Sequence, residues 1–265
     1  MPLAFWAGGV FFSPGYAMHE KKGLVHNKPV CSSKSGRGGV LVNNRWMKWL
    51  LPYGLTALLL VAPLSAIPAE AHTEKSHHTR DHKGCLSPKA AKLFEKWQKL
   101  WIEHALWTNN YIVSNLEGLD NKEQVLARLL RNQRDIGDAI KPYYGEVAGD
   151  QLGKLLTEHI MTGGKVFAAL QSGNEADLQQ ANKAWYGNAD EIAALLSGLN
   201  PHWSEKQLKD LLYQHLQLTA ADVVANLHKE WEQSIHIYDD GQDHLILLAN
   251  VLAEGILKQF PDQFK

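Results

Sequence analysis

The pattern of apolar and polar positions becomes regular at Ser87. From there Leu93, Trp97, Leu100, Trp101, His104, Thr108 and Tyr111 follow one another at spacings of three and four, the period of an amphipathic helix. Ser87-Pro88 provides an N-cap and a first-turn proline, and Leu116-Glu117-Gly118 provides an end. A second helix opens at Asn121, where Asn121 to Gln124 has the form of a capping box, and runs to about Ala139. Lys141-Pro142-Tyr143-Tyr144-Gly145 breaks it. A third covers about Glu146 to Gln171, with Leu152, Leu156, His159, Gly163, Val166 and Leu170 along one side. The fourth runs from Asn174 to Ser197 and stops at Gly198-Leu199-Asn200-Pro201. Ser204 to Gln207 opens a fifth, to about Leu218. Thr219 to Asp222 matches the same box and opens a last segment to Phe260. That segment has about 40 residues, roughly 60 Å if continuous, with a candidate kink at Asp239-Asp240-Gly241. Alternating β-branched runs are absent, so no strand is expected. The fold class predicted is all-α: an antiparallel helical bundle of four to six helices with a long C-terminal helix.

Upstream of Ser87 the pattern differs. Residues 47–71, with Arg45 just ahead of them, combine a basic start at Lys48, an apolar run through Leu58-Leu59-Leu60, and small residues ending Ala69-Glu70-Ala71. This is the form of a secretory signal peptide. Cleavage after Ala71 would leave a chain starting at His72, exported to the periplasm or secreted. The apolar run is also long enough to span a bilayer, so an uncleaved leader is the one route to a membrane. Residues 1–46 read as a non-native extension ahead of a start at Met47, the alternative being a genuine disordered segment. Residues 72–86 form a polar tail containing His72, His77, His78 and His82. Flexibility and metal scavenging are both open to that tail.

Charge and cysteine narrow the function classes. Residues 1–71 hold 7 of the 27 Lys and Arg and 2 of the 28 Asp and Glu. The remainder carries 20 basic and 26 acidic residues, a formal charge of −6. A nucleic-acid partner is therefore disfavoured. Cys85 is the single cysteine of that part, so no internal disulfide forms there. G-x-S-x-G, P-loop and G-x-G-x-x-G sequences are absent from the helical region, and no catalytic signature is legible.

Histidine placement is the informative feature. His104, His159 and His215 occupy positions where the helical period asks for an apolar residue. Two follow glutamate, as Glu103-His104 and Glu158-His159. On the last segment His236, Asp240 and His244 stand at i, i+4 and i+8, with Asp239 and Asp243 beside them. Two readings are open. In the first, His104, His159, His215, Asp239, His244, Glu103 and Glu158 converge on a metal ion or small polar ligand inside the bundle. Zinc, iron, manganese and copper suit such donors. In the second, the histidines are core residues of a structural or adaptor protein of the cell envelope, each ring satisfied by a neighbour.

The Glu-x-x-His motif of ferritin-like di-iron bundles is absent from the helices. Where hemerythrin-like bundles carry His-x-x-x-Glu and His-x-x-x-His, this chain reads His-x-x-x-Thr, so the likeness to both is architectural. Trp101-Ile102-Glu103-His104, Leu156-Thr157-Glu158-His159, Asn188-Ala189-Asp190-Glu191-Ile192, His215-Leu216-Gln217-Leu218-Thr219 and Gln259-Phe260-Pro261 together resemble a group of uncharacterised bacterial exported all-helical proteins. The resemblance spans about residues 87–264 and brings no established activity. It implies that the Glu-His pairs belong to one arrangement, with Asp190 as a further member.

Overall fold

The computed structural model describes residues 5–7, 10–12 and 85–265. The leader at 47–71 and the tail histidines lie outside them. Five α-helices make up the bundle: α1 (Pro88–Leu116), α2 (Lys122–Ser172), α3 (Glu175–Leu199), α4 (Glu205–Leu227) and α5 (Trp231–Gln259), followed by a 3-10 turn at Pro261–Phe264. The expected all-α bundle with a long C-terminal helix is what forms. One local exception concerns strands. Phe5–Ala7 (β1) and Val10–Phe12 (β2) pair antiparallel, with Ala7 opposite Val10. These triplets flank Gly8-Gly9 in the sequence.

Most helix starts follow the sequence signals. Ser87 Oγ accepts from Ala90 N at 3.1 Å. Asn174 Oδ1 accepts from Ala176 N and Asp177 N, and Ser204 Oγ accepts from Gln207 N. The box expected at Asn121 does not close, because the Asn121 side chain makes no capping bond.

The break at Lys141–Gly145 is real, although helical bonding continues on both sides of it. Gly145 sits at φ 83°, ψ 169°, a region open essentially to glycine alone. There α2 turns back on itself into two antiparallel limbs. Gly137 and Gly149 then approach so closely that a Cβ on Gly137 would lie 2.5 Å from the Gly149 carbonyl oxygen. Lys141 ties the limbs together, pairing with Asp138, Glu146 and Asp150 at 2.7–3.0 Å.

The start expected at Thr219 for a last segment of about 40 residues falls later, and α5 has 29 residues. Thr219 does not cap a new helix; its hydroxyl donates back to the His215 carbonyl at 2.9 Å, a bond that competes with capping. The chain instead breaks after Leu227, with Lys229 at φ 60°. α5 then passes through Asp239-Asp240-Gly241 without interruption.

Trp97, Trp101, Ile136, Leu156, Ile192, Leu212 and Leu252 pack into an apolar centre, each below a tenth exposed. Burial of such side chains, at roughly 25 cal/mol per Å2 of apolar surface, is the main favourable term for the fold. One turn further along α1 the filling changes to polar. His104, Gln133, His159, Asn188, His215 and His244 are all buried, and they define the layer described next.

Candidate functional site

Each helix contributes to this layer through a polar residue on its inward stripe. On α1 that residue is His104, following Trp97 and Trp101. The first limb of α2 provides Gln133 between Leu129 and Ile136, and the second limb provides His159 beside Leu156. α3 provides Asn188 between Trp185 and Ile192, α4 provides His215, and α5 provides His244. His104 and His215 meet Nε2 to Nε2 at 3.4 Å. The His159 and His215 rings stack at 5.9 Å with 25° between their planes.

The hydrogen bonds assign a proton to each ring. Asn188 Nδ2 donates to the Leu155 carbonyl at 3.0 Å, so Asn188 Oδ1 is the acceptor for His159 Nδ1–H at 2.9 Å. His244 Nε2–H donates to the Leu211 carbonyl at 2.7 Å. Gln133 Nε2, oriented by the Leu129 carbonyl at 2.9 Å, faces His104 Nδ1 at 3.3 Å. That nitrogen is therefore the acceptor, and His104 carries its proton on Nε2, aimed at His215 Nε2. His215 then carries its own on Nδ1, 3.5 Å from Thr219 Oγ1. Each ring then carries one proton, and Gln133 Oε1 is left buried without a partner.

Burial agrees with neutrality. It pushes His104 down to about 3, helped by the nearby His159, and His159 down to about 4. His215 is held well below the usual range by burial and then by His104, His159 and His244. Burial lowers His244 as well. An imidazolium here would lose its hydration without gaining a counter-charge.

The expected carboxylates are elsewhere. Glu103 turns outward to Lys99 and to Arg128, the latter at 3.0 Å. Glu158 is exposed, 3.9 Å from Lys154. Asp239 and His236 are exposed on α5 while His244 is buried. Each four-residue step overshoots a helical turn by about 40°, which separates positions eight apart. Asp190 accepts from Tyr213 at 2.8 Å and pairs with Lys209, so it stands outside the layer.

These positions overturn the metal reading. Among the described residues, no group of three or more His, Cys, Asp or Glu could hold a metal ion. Stacked rings direct their lone pairs along parallel lines, and two of those lone pairs already accept hydrogen bonds. Zinc, iron, manganese or copper held by His104, His159, His215, Asp239, His244, Glu103 and Glu158 is not supported, and neither is a metal ion as partner. The small-polar-ligand version fails with it. The cavity beside His104, His159 and His215 measures about 20 Å3, space for water rather than for an organic molecule. No described helix is long and apolar enough to cross a membrane.

Two further residues were missed as members of the layer, Gln133 and Asn188. Their signal was present: each interrupts an apolar stripe at helical spacing, just as the histidines do. Compared with protein-family models, curated proteins and solved structures, the chain matches none of them.

Proposed function

We propose that this chain is a structural or adaptor bundle of the cell envelope, exported through the leader at residues 47–71, with its histidines as internal fastenings. The observation that carries this reading is the hydrogen bonding of the layer, in which four imidazoles from four helices bond to protein rather than to a shared ligand. A satisfied polar network in a low-dielectric interior rigidifies a core and selects one packing over its neighbours. The surface supports the adaptor half of the reading. Trp231 and Ile235, one turn apart at the start of α5, are 52% and 61% exposed. Ile102, Leu106 and Val113 lie along the outside of α1, also exposed. Trp231 with Ile235, and Ile102 with Leu106, stand at i and i+4 on their helices, and exposed apolar patches suit protein contacts.

The test is fractionation of cells producing the full chain, with and without charged residues replacing Leu58-Leu59-Leu60. Export predicts a shortened protein in the envelope fraction, and a precursor retained in the cytoplasm for the variant, because an apolar core is what the export machinery reads. Unaltered export of the variant, or a full-length cytoplasmic parent, would contradict the envelope assignment.

A further inference from the structure

The network leaves two ring nitrogens of the layer unused, Nδ1 of His244 and Nε2 of His159, and only His159 borders the inner cavity. His159 bonds through Nδ1 to Asn188, and Nε2 has no partner among the described residues. Its ring borders the cavity of about 20 Å3, together with Thr108, Trp185, His215 and Thr219. Thr108 Oγ1 and Trp185 Nε1 are likewise buried without partners. Thr108, His215 and Thr219 also line a neighbouring groove of about 40 Å3, bounded by Asn109, Asp222 and Tyr238. The two spaces share Thr108, His215 and Thr219 as lining, so these side chains stand between the outer groove and the cavity beside His159.

We propose that the histidine layer is an acid-operated latch, closed while its imidazoles are neutral and opened when His159 Nε2 takes up a proton.

The surroundings supply little to hold that charge. From α1, His159 faces His104 and Tyr111. The first limb of α2 presents uncharged Gln133, its Arg128 being turned to Glu103. α3 presents Asn188 and the Trp185 ring, whose centroid is 5.6 Å away; that ring is the one compensating surface. α4 presents the stacked His215, with His244 of α5 behind it. Asp222 lines the outer groove, where Oδ1 accepts from Ser234 and Asn226. Glu158, on the helix of His159 itself, points to solvent. A second proton on His104 or His215 fares worse, because it would set N–H against N–H. Burial already holds His159 at about 4 and His104 at about 3, so the closed form refuses protons that an opened chain accepts near 6.5. The latch is a property of the bundle and does not depend on the envelope assignment. In an envelope compartment, whose pH follows the surroundings, it would couple bundle opening to external acid.

Amide hydrogen exchange of the full chain at pH 7 and pH 5, corrected for intrinsic rates, tests the proposal. One imidazole taking up a proton on opening raises the opening constant about 25-fold between these values, and three raise it roughly ten-thousand-fold. The rise should concentrate in α4 and in the second limb of α2, and His159→Gln should remove about 25-fold of it. Equal protection at both pH values, a uniform rise over all five helices, or an undiminished rise in His159→Gln would each overturn the latch. Should that variant fail to fold, the parent's His159 ring resonances decide. Titration near 6.5 while α4 amides stay protected overturns the proposal; a ring that stays neutral until those amides open supports it.

Discussion

His104 and His215, 111 residues apart in sequence, face each other Nε2 to Nε2 at 3.4 Å with no carboxylate between them. Two nitrogens so placed can share one proton and no more. The contact requires at least one of the two rings to be neutral, and it engages the lone pair that a metal would need.

A double-mutant cycle on this pair should show coupling. His215→Leu leaves His104 Nε2–H buried without an acceptor, which costs about 1–3 kcal/mol. His104→Leu leaves the His215 Nε2 lone pair buried without its donor at similar cost. Removing both partners together should cost less than the sum, with a coupling of about 0.5–3 kcal/mol in chemical denaturation. Strict additivity would mean that the bond contributes nothing.

The turn in α2 rests on a backbone conformation at Gly145 that other residues avoid. Nothing lies within 4 Å of a Cβ built there, so the cost of Gly145→Ala is conformational rather than steric. It should be about 1–3 kcal/mol, read as a lower denaturation midpoint with helix content unchanged.

Gly255 offers the opposite case. Alanine would gain about 1 kcal/mol in helix propensity. Its Cβ, however, would lie 1.9 Å from Trp203 Nε1, inside a ring that is 2% exposed. Overpacking at about 1–3 kcal/mol exceeds the gain. Gly255→Ala should therefore destabilise the protein, with a visible change in Trp203 fluorescence.

Stability should fall with acid from an unusually high pH. Because the folded pKa values of His104 and His159 lie below the unfolded value near 6.5, the unfolded chain binds the extra protons. Their contribution is complete above about pH 7 and declines as pH drops below 6.5. By pH 5 the loss is about 2 kcal/mol for each imidazole. Asp222 works the other way, since burial raises its carboxyl, and it offsets part of the loss at lower pH. Denaturant titrations at pH 7, 6 and 5 would show the trend, and a flat profile would refute it.

The helices were legible because their information is local. Ser87, Asn174 and Ser204 cap where their hydroxyl or amide groups reach free backbone N–H groups, and apolar spacing marks the inward faces. Thr219 shows where local signals mislead: the same side chain can cap forward or bond back to residue i−4, and only the packing of His215 decides. The polar layer was legible as positions but not as chemistry. His104, His159 and His215 were placed correctly in the core. Their partners Gln133 and Asn188 lie on other segments, however, and ring orientation is set by tertiary contacts that spacing does not encode. Glu103 and Glu158 adjoin histidines in sequence, yet on a helix adjacent residues point about 100° apart, which sends both carboxylates outward.

Nitrogen-15 spectra of the histidine rings at pH 7, recorded before and after adding zinc, test the central claim most directly. Four neutral rings are expected, protonated on Nδ1 in His159 and His215 and on Nε2 in His104 and His244, with none of these resonances moved by the metal. An imidazolium among the four, or a zinc-induced shift at His104, His159 or His215, would contradict the account of the layer as a neutral, hydrogen-bonded fastening.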